Sequence, residues 1–176
     1  MSFQDDVRKQ IARNLDEQAA KQSEKERIEA ERLTKMLDQA NSCEYTFYGK
    51  CVEAAGEGKH ELTMYVVDIM GTEYHRVGLI TKEQGQQAIK SSAMCYDERD
   101  DEDFHRFAKA LPKVVALKAA DTIKEHLNQR GLPNVNTGLQ PVYKWIHHPA
   151  SFFQRFGWEE KTSEVVGYYI RITASW

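Results

Sequence analysis

The residues best suited to chemistry are His147 and His148, because imidazole titrates near neutrality without help and is the commonest transition-metal ligand. Their adjacency works against a joint role. Neighbouring side chains on an extended chain point in opposite directions, so a metal site would need Cys43, Cys51 or another distant group to converge on one ring. A pair packed in a turn or left at the surface is the ordinary outcome for such histidines. The other motifs fail on inspection. His60 and Glu61 open like the zinc-protease pattern, but Met64 stands where the second His must be. The acidic run from Asp97 to Asp103 has neither the sixth-position Gly nor the closing Glu of a calcium loop. Phosphate-binding glycine loops, the dinucleotide fingerprint and the nucleophile elbow are all missing from the sequence. The sequence therefore predicts no catalytic residue, no cofactor and no metal. An enzyme using His147 or His148 beside a carboxylate is the different-class alternative.

What the chain offers instead is a polar distribution of charge and rings. The formal charge of −3 over 176 residues marks neither a nucleic-acid nor a membrane binder. That average conceals six acidic and one basic residue in 97–103, followed by ten basic and five acidic in 104–176. Residues 141–176 also carry nine of the 18 aromatic side chains. Lys144, Trp145, His147, His148, Arg155, Trp158 and Lys161 are the residue types that hold a partner surface. They would equally suit a single-stranded nucleic acid, whose phosphates seek cations and whose bases stack on rings. Most Phe and Trp fill cores, and Phe152, Phe153 and Phe156 stand at helical spacing, so Trp145, Trp158 and their flanking cations are the part expected to remain exposed.

These residues need elements to position them. Residues 1–42 contain no Pro or Gly and are rich in good helix formers, which predicts one long helix ending at Asn41 and Ser42. Val7, Ile11 and Leu15 form an apolar face near one end, and Leu33, Met36 and Leu37 resume it near the other. A strict heptad fails between them, and i,i+4 charge pairs lace the middle. So little apolar surface makes an isolated helix marginal, which favours packing on a protein partner or on a second copy of the chain. Aromatic and β-branched residues in 44–53 predict a strand, and the Gly56 and Gly58 turn leads to a second at 61–69, giving an antiparallel hairpin. Both faces of that second run are apolar, so it belongs at the centre of a sheet. A short third strand over 73–78 follows.

Thr81 and Gln84 have capping-box spacing and predict a helix to about Cys95. Asp103 is placed to cap a short helix or turn over 104–111. Pro112 then restarts a longer helix, with Val115, Ala116, Ala119, Ala120, Ile123 and Leu127 as its buried stripe, ending before Gly131. Residues 132–141 read as a loop, and the last residues as a strand.

A leading helix, Cys43-Glu44-Tyr45 before a strand, a helix ending at Gly131 and a last strand closing on Trp176 resemble an arrangement recurring among small α/β proteins of bacteria and their phages. The resemblance implies a small accessory protein. The expectation is an α+β fold: an antiparallel sheet of three to five strands packed with helices, preceded by a helical arm over 1–42, with one domain over 43–176. Three irregularly spaced cysteines, no signal peptide and no membrane span point to a reduced, cytoplasmic protein. Its expected role is interaction or assembly, using the arm and the C-terminal aromatic-basic region to bind a protein partner. Binding of single-stranded nucleic acid is the alternative.

Overall fold

The computed structural model describes residues 3–70, 75–93, 108–147 and 161–176, and the side chains of 10–69, 76–90, 108–143 and 163–176. The chain divides into two compact units, residues 1–35 and 36–176. Helix α1 (Phe3–Gly56) contributes to both. In the first unit every described side chain from 10 to 32 is exposed. Helix propensity and ion pairs within the helix hold it: Arg27 bridges Glu24 and Glu31, and Arg32 reaches Glu29. The Arg27 guanidinium in turn holds the Glu24 carboxyl below its ordinary range.

In the second unit α1 runs straight through Asn41 and Ser42, so neither the break expected there nor the strand expected over 44–53 is present. The reason lies in spacing. Met36, Ala40, Cys43, Phe47, Cys51 and Ala54 are all buried, and their steps of three and four define one helix face. Burying that face outweighs the β propensity of Tyr45, Thr46, Phe47 and Tyr48, which is a weak, context-dependent preference. The glycine turn closes this helix instead of joining a hairpin. Gly58, at φ 78°, donates to the Ala55 carbonyl and Lys59 donates to that of Ala54. That pair of bonds is the left-handed glycine closure of a helix. Gly131, at φ 79°, closes the last helix in the same way, with bonds from Gly131 to Asn128 and from Leu132 to Leu127.

Strands β1 (Glu61–Met70), β2 (His75–Thr81), β3 (Asn136–His147) and β4 (Lys161–Ser175) form one antiparallel sheet in the order β2-β1-β4-β3. This is the α+β architecture anticipated from the sequence, with β1 central and apolar on both faces. One face carries Tyr65, Val67, Val142 and Tyr169, against which Ala88 and Ile89 of α2 (Lys82–Ala93) and residues Ala108 and Ala110 pack. A Cβ at Gly85 would run into the Tyr65 ring, so this glycine is what lets α2 lie close. The opposite positions, Met64, Val66, Ile170, Ile172 and Ala174, are also buried. The capping box forms as expected: Gln84 N–H donates to Thr81 Oγ1, and Thr81 N–H donates to Gln84 Oε1. Helix α3 (Lys113–Gln129) follows Pro112 and buries the six residues of the predicted stripe.

Two further expectations need correction. Residues 136–141, read as loop because of Gly138 and Pro141, are the first half of β3. An edge strand tolerates Pro when the missing donor faces outward. That condition holds here: Tyr168, opposite Pro141, exchanges both backbone groups with Leu111 on its other side, so Pro141 is in a pair that shares no hydrogen bond. Residues 108–111, expected in a short helix or turn, are extended. They make isolated antiparallel bridges, Lys109 to Asp68 of β1 and Leu111 to Tyr168 of β4. Residues 104–107 and the Asp103 cap lie outside the described residues.

Candidate interaction surface

Four of the C-terminal residues singled out by type come together at one end of the sheet. Beyond a bulge at Val142 and Tyr143, β3 and β4 continue as a ribbon in which Tyr143 pairs with Val165, Lys144 with Glu164, Trp145 with Ser163 and His147 with Lys161. Val166 is the extra residue of the bulge, and such an insertion sharpens the local twist. Tyr143, Val165 and Val166 are 39%, 40% and 49% exposed, unusual for ring and β-branched residues of a sheet. Lys144, Trp145 and His147 thus occupy one strand segment, with Lys161 across from His147. His148, Arg155 and Trp158, together with the Phe152, Phe153 and Phe156 series, lie outside the described residues.

On α1 the two apolar groups behave differently. Ile11 and Leu15 are 54% and 59% exposed, and Ile28, which falls off their line, is 53% exposed. Leu33 and Leu37 are half-buried. Val7 lies within the helix, but its side chain is outside the described set.

A cluster that sequence reasoning missed lies where α1 meets the end of α3. The Glu44 carboxylate is 2% exposed. His126 Nδ1 stands 3.0 Å from its Oε2, and Arg130 Nη2 is 3.6 Å from Oε1. The His126 contact is close but not aligned as a hydrogen bond, so it acts through charge when the imidazole is protonated. The Arg130 guanidinium also lies 4.4 Å from the centre of the Tyr45 ring and 5.7 Å from that of Tyr48, within cation–π range. Cations in the last turn of α3 complement its dipole, and here they also meet a buried carboxylate. The arrangement pins two helices together. Its signal was available: Asn41, Glu44, Tyr45 and Tyr48 share a helix face, provided the segment is read as helix.

The cysteines of α1 are chemically quiet. Burial pushes the Cys43 thiol up to about 11 against the opposing pull of Arg76, and it pushes Cys51 to about 11 as well. Thiols of that kind are poor nucleophiles at neutral pH.

A groove of about 470 Å³ runs between the end of α1, the start of β1 and the start of α2. Its walls alternate in charge and partly neutralise themselves through Lys50 with Glu53 and Lys59 with Glu57. Among the described residues no three His, Cys, Asp or Glu side chains stand close enough to hold a metal ion. No described helix is long and apolar enough to cross a membrane. Comparison with protein families, with curated proteins and with solved structures returned no match to this chain.

Proposed function

We propose that this is a non-enzymatic interaction and assembly protein that binds a protein partner, or a second copy of itself, through the helical arm and the β3–β4 ribbon. The observation carrying the reading is the exposure of Ile11, Leu15 and Ile28 on a helix whose described residues 10–32 bury nothing. A helix nucleates at a cost, and charge pairs of about 0.2–0.5 kcal/mol each offset little of it in water. Covering Ile11 and Leu15 on a partner would supply the missing burial. The exposed Tyr143, Val165 and Val166 give the ribbon a second apolar contact, and Lys144, Trp145, His147 and Lys161 sit in the same ribbon. Deleting residues 1–32 and measuring the mass in solution by light scattering tests the arm. A loss of mass to the single chain, or loss of a co-purifying protein, is expected; an unchanged assembly removes the arm from this role.

One observation favours a second reading. Lys144, Trp145, His147 and Lys161 gather on one ribbon, the mixture of cation and ring that holds single-stranded nucleic acid. Titrating fluorescent single-stranded DNA and RNA at low and moderate salt decides it, because such binding weakens steeply with salt. No binding at low salt would end this reading.

A further inference from the structure

Strand β1 outruns the strand beside it. Its ladder to β4 starts at Glu61↔Ser175, whereas its ladder to β2 starts only at Met64↔Thr81. Glu61, Leu62 and Thr63 therefore have a strand on one side and none on the other. Which backbone groups face the open side follows from alternation. Asp68 gives its N–H and C=O to Lys109, and the Val77 N–H goes to the Gln39 side chain, so the Asp68↔Val77 pair shares no bond. The bonded pairs are then Val67↔Gly78 and Tyr65↔Ile80, and the same parity turns the backbone groups of Thr63 and Glu61 away from β4. The bond from Trp176 N–H to the His60 carbonyl, on the β4 side, agrees with that parity.

The open side is the groove of about 470 Å³ between the end of α1 and the start of α2. Elsewhere this sheet blunts its outward amides: Gln39 Oε1 takes that of Val77, Gln84 Oε1 takes that of Thr81, and position 141 is proline. Among the described residues no side chain takes those of Glu61 and Thr63 in this way. The walls define what else a ligand meets. Leu62 and Met64 share one face of the sheet and line the groove with Ala54, an apolar wall. Glu61 stands on the other face. Four glutamates line the groove against three lysines, and Lys50 and Lys59 are already engaged by Glu53 and Glu57. Glu83 is held in its charged form by its own N–H and the Thr81 hydroxyl.

We propose that the groove takes an extended, basic peptide segment of a partner protein, which pairs with Glu61 and Thr63 as a short strand in line with β2. Its apolar side chains lie toward Ala54 and Leu62, and its cations lie toward Glu61 and Glu83. In such strand addition the main chain supplies affinity and alternate side chains supply specificity. The free stretch of β1 is roughly 10 Å long, so the contact is small and the complex weak and transient. The site is separate from the arm and the ribbon and does not rest on their role.

The test uses the full chain and an acetylated, amidated pentapeptide of alternating lysine and valine, followed by NMR of the backbone amides. The Glu61 and Thr63 amides should shift on titration and exchange hydrogen roughly tenfold more slowly, while Ala119 and Ile123 of α3 stay unchanged. Two N-methylated peptides of the same charge, one methylated at the lysines and one at the valines, separate strand pairing from charge attraction. Alternate amides of an extended peptide face the same edge, so one form should bind like the parent and the other roughly tenfold or more weakly. Glu61→Pro removes a donor facing the groove at the first residue of the strand, where proline is tolerated, and should weaken binding by a similar factor. Glu61→Gln should weaken it less. Equal binding of the two methylated forms overturns the proposal, as does undiminished binding to a folded Glu61→Pro variant, or the absence of shifts at Glu61 and Thr63 with millimolar peptide. If the proline variant does not fold, the methylated peptides on the unaltered chain decide.

Discussion

Glu44 is the residue whose loss the fold should feel most for its size. It is a carboxylate with almost no access to water, answered by His126 and Arg130 from another helix. Glu44→Gln keeps the shape and removes the charge, and we expect it to lower unfolding free energy in urea by about 2 kcal/mol. Glu53→Gln, which breaks an exposed pair with Lys50, should change it by less than about 1 kcal/mol. Alkaline stability is also set at this scale. Burial raises Cys43 and Cys51 to about 11 and Tyr169 to about 12, so the folded protein keeps all three protonated where the unfolded chain already ionises. Their contribution is complete below about pH 8.5 and is lost as pH rises through 11 and 12. Urea midpoints measured from pH 8 to 12 should fall along that course. Serine at positions 43 and 51 should flatten its early part, although each substitution also costs stability at neutral pH.

At the scale of elements, the second half of α1 is the instructive case. Its apolar residues are also β formers, and aromatic content suggested a strand; the steps of three and four from Met36 to Ala54 contained the right answer. Periodicity beats propensity here because the whole unit must bury one continuous helix face. The same principle made α3 legible to the residue, since its stripe of small and branched side chains fits no other period. β3 was half legible: Pro141 and Gly138 look like loop until the outer edge of the sheet is known, which is a fact of tertiary structure. The bridging segment at 108–111 had no sequence signal, because four residues are shorter than any recognisable period. Of the candidate surface, residue types were readable and their gathering on one ribbon was not, and the Glu44 cluster depended on the misread helix. Gly49 tests the corrected reading. It lies inside α1 with open space around its missing Cβ, so Gly49→Ala should raise stability by about 1 kcal/mol. In a strand the gain would be smaller, because Ala is itself a poor strand former. Phe47→Ala, removing a fully buried ring from the same helix, should cost about 3–5 kcal/mol.

At the scale of the whole molecule the chain is two units with different physics. Residues 36–176 hold a sheet with apolar positions on both faces, whereas 10–32 are held by helix propensity and short-range ion pairs. Removal of 1–32 should therefore reduce the helical circular dichroism signal while the remaining cooperative melt keeps its midpoint. Addition of salt should weaken the isolated arm peptide more than the sheet-containing unit, because exposed charge pairs are screened and buried contacts are not. Among the described residues the sheet ends on β3, a long strand whose outer side has no strand partner. Pro141, with its absent donor turned outward, leaves a gap near the middle of that row of backbone groups, so a strand from another molecule cannot lie along it without losing a bond. One residue that read as a loop signal thus guards against open-ended polymerisation, the failure to which flat sheet edges are prone.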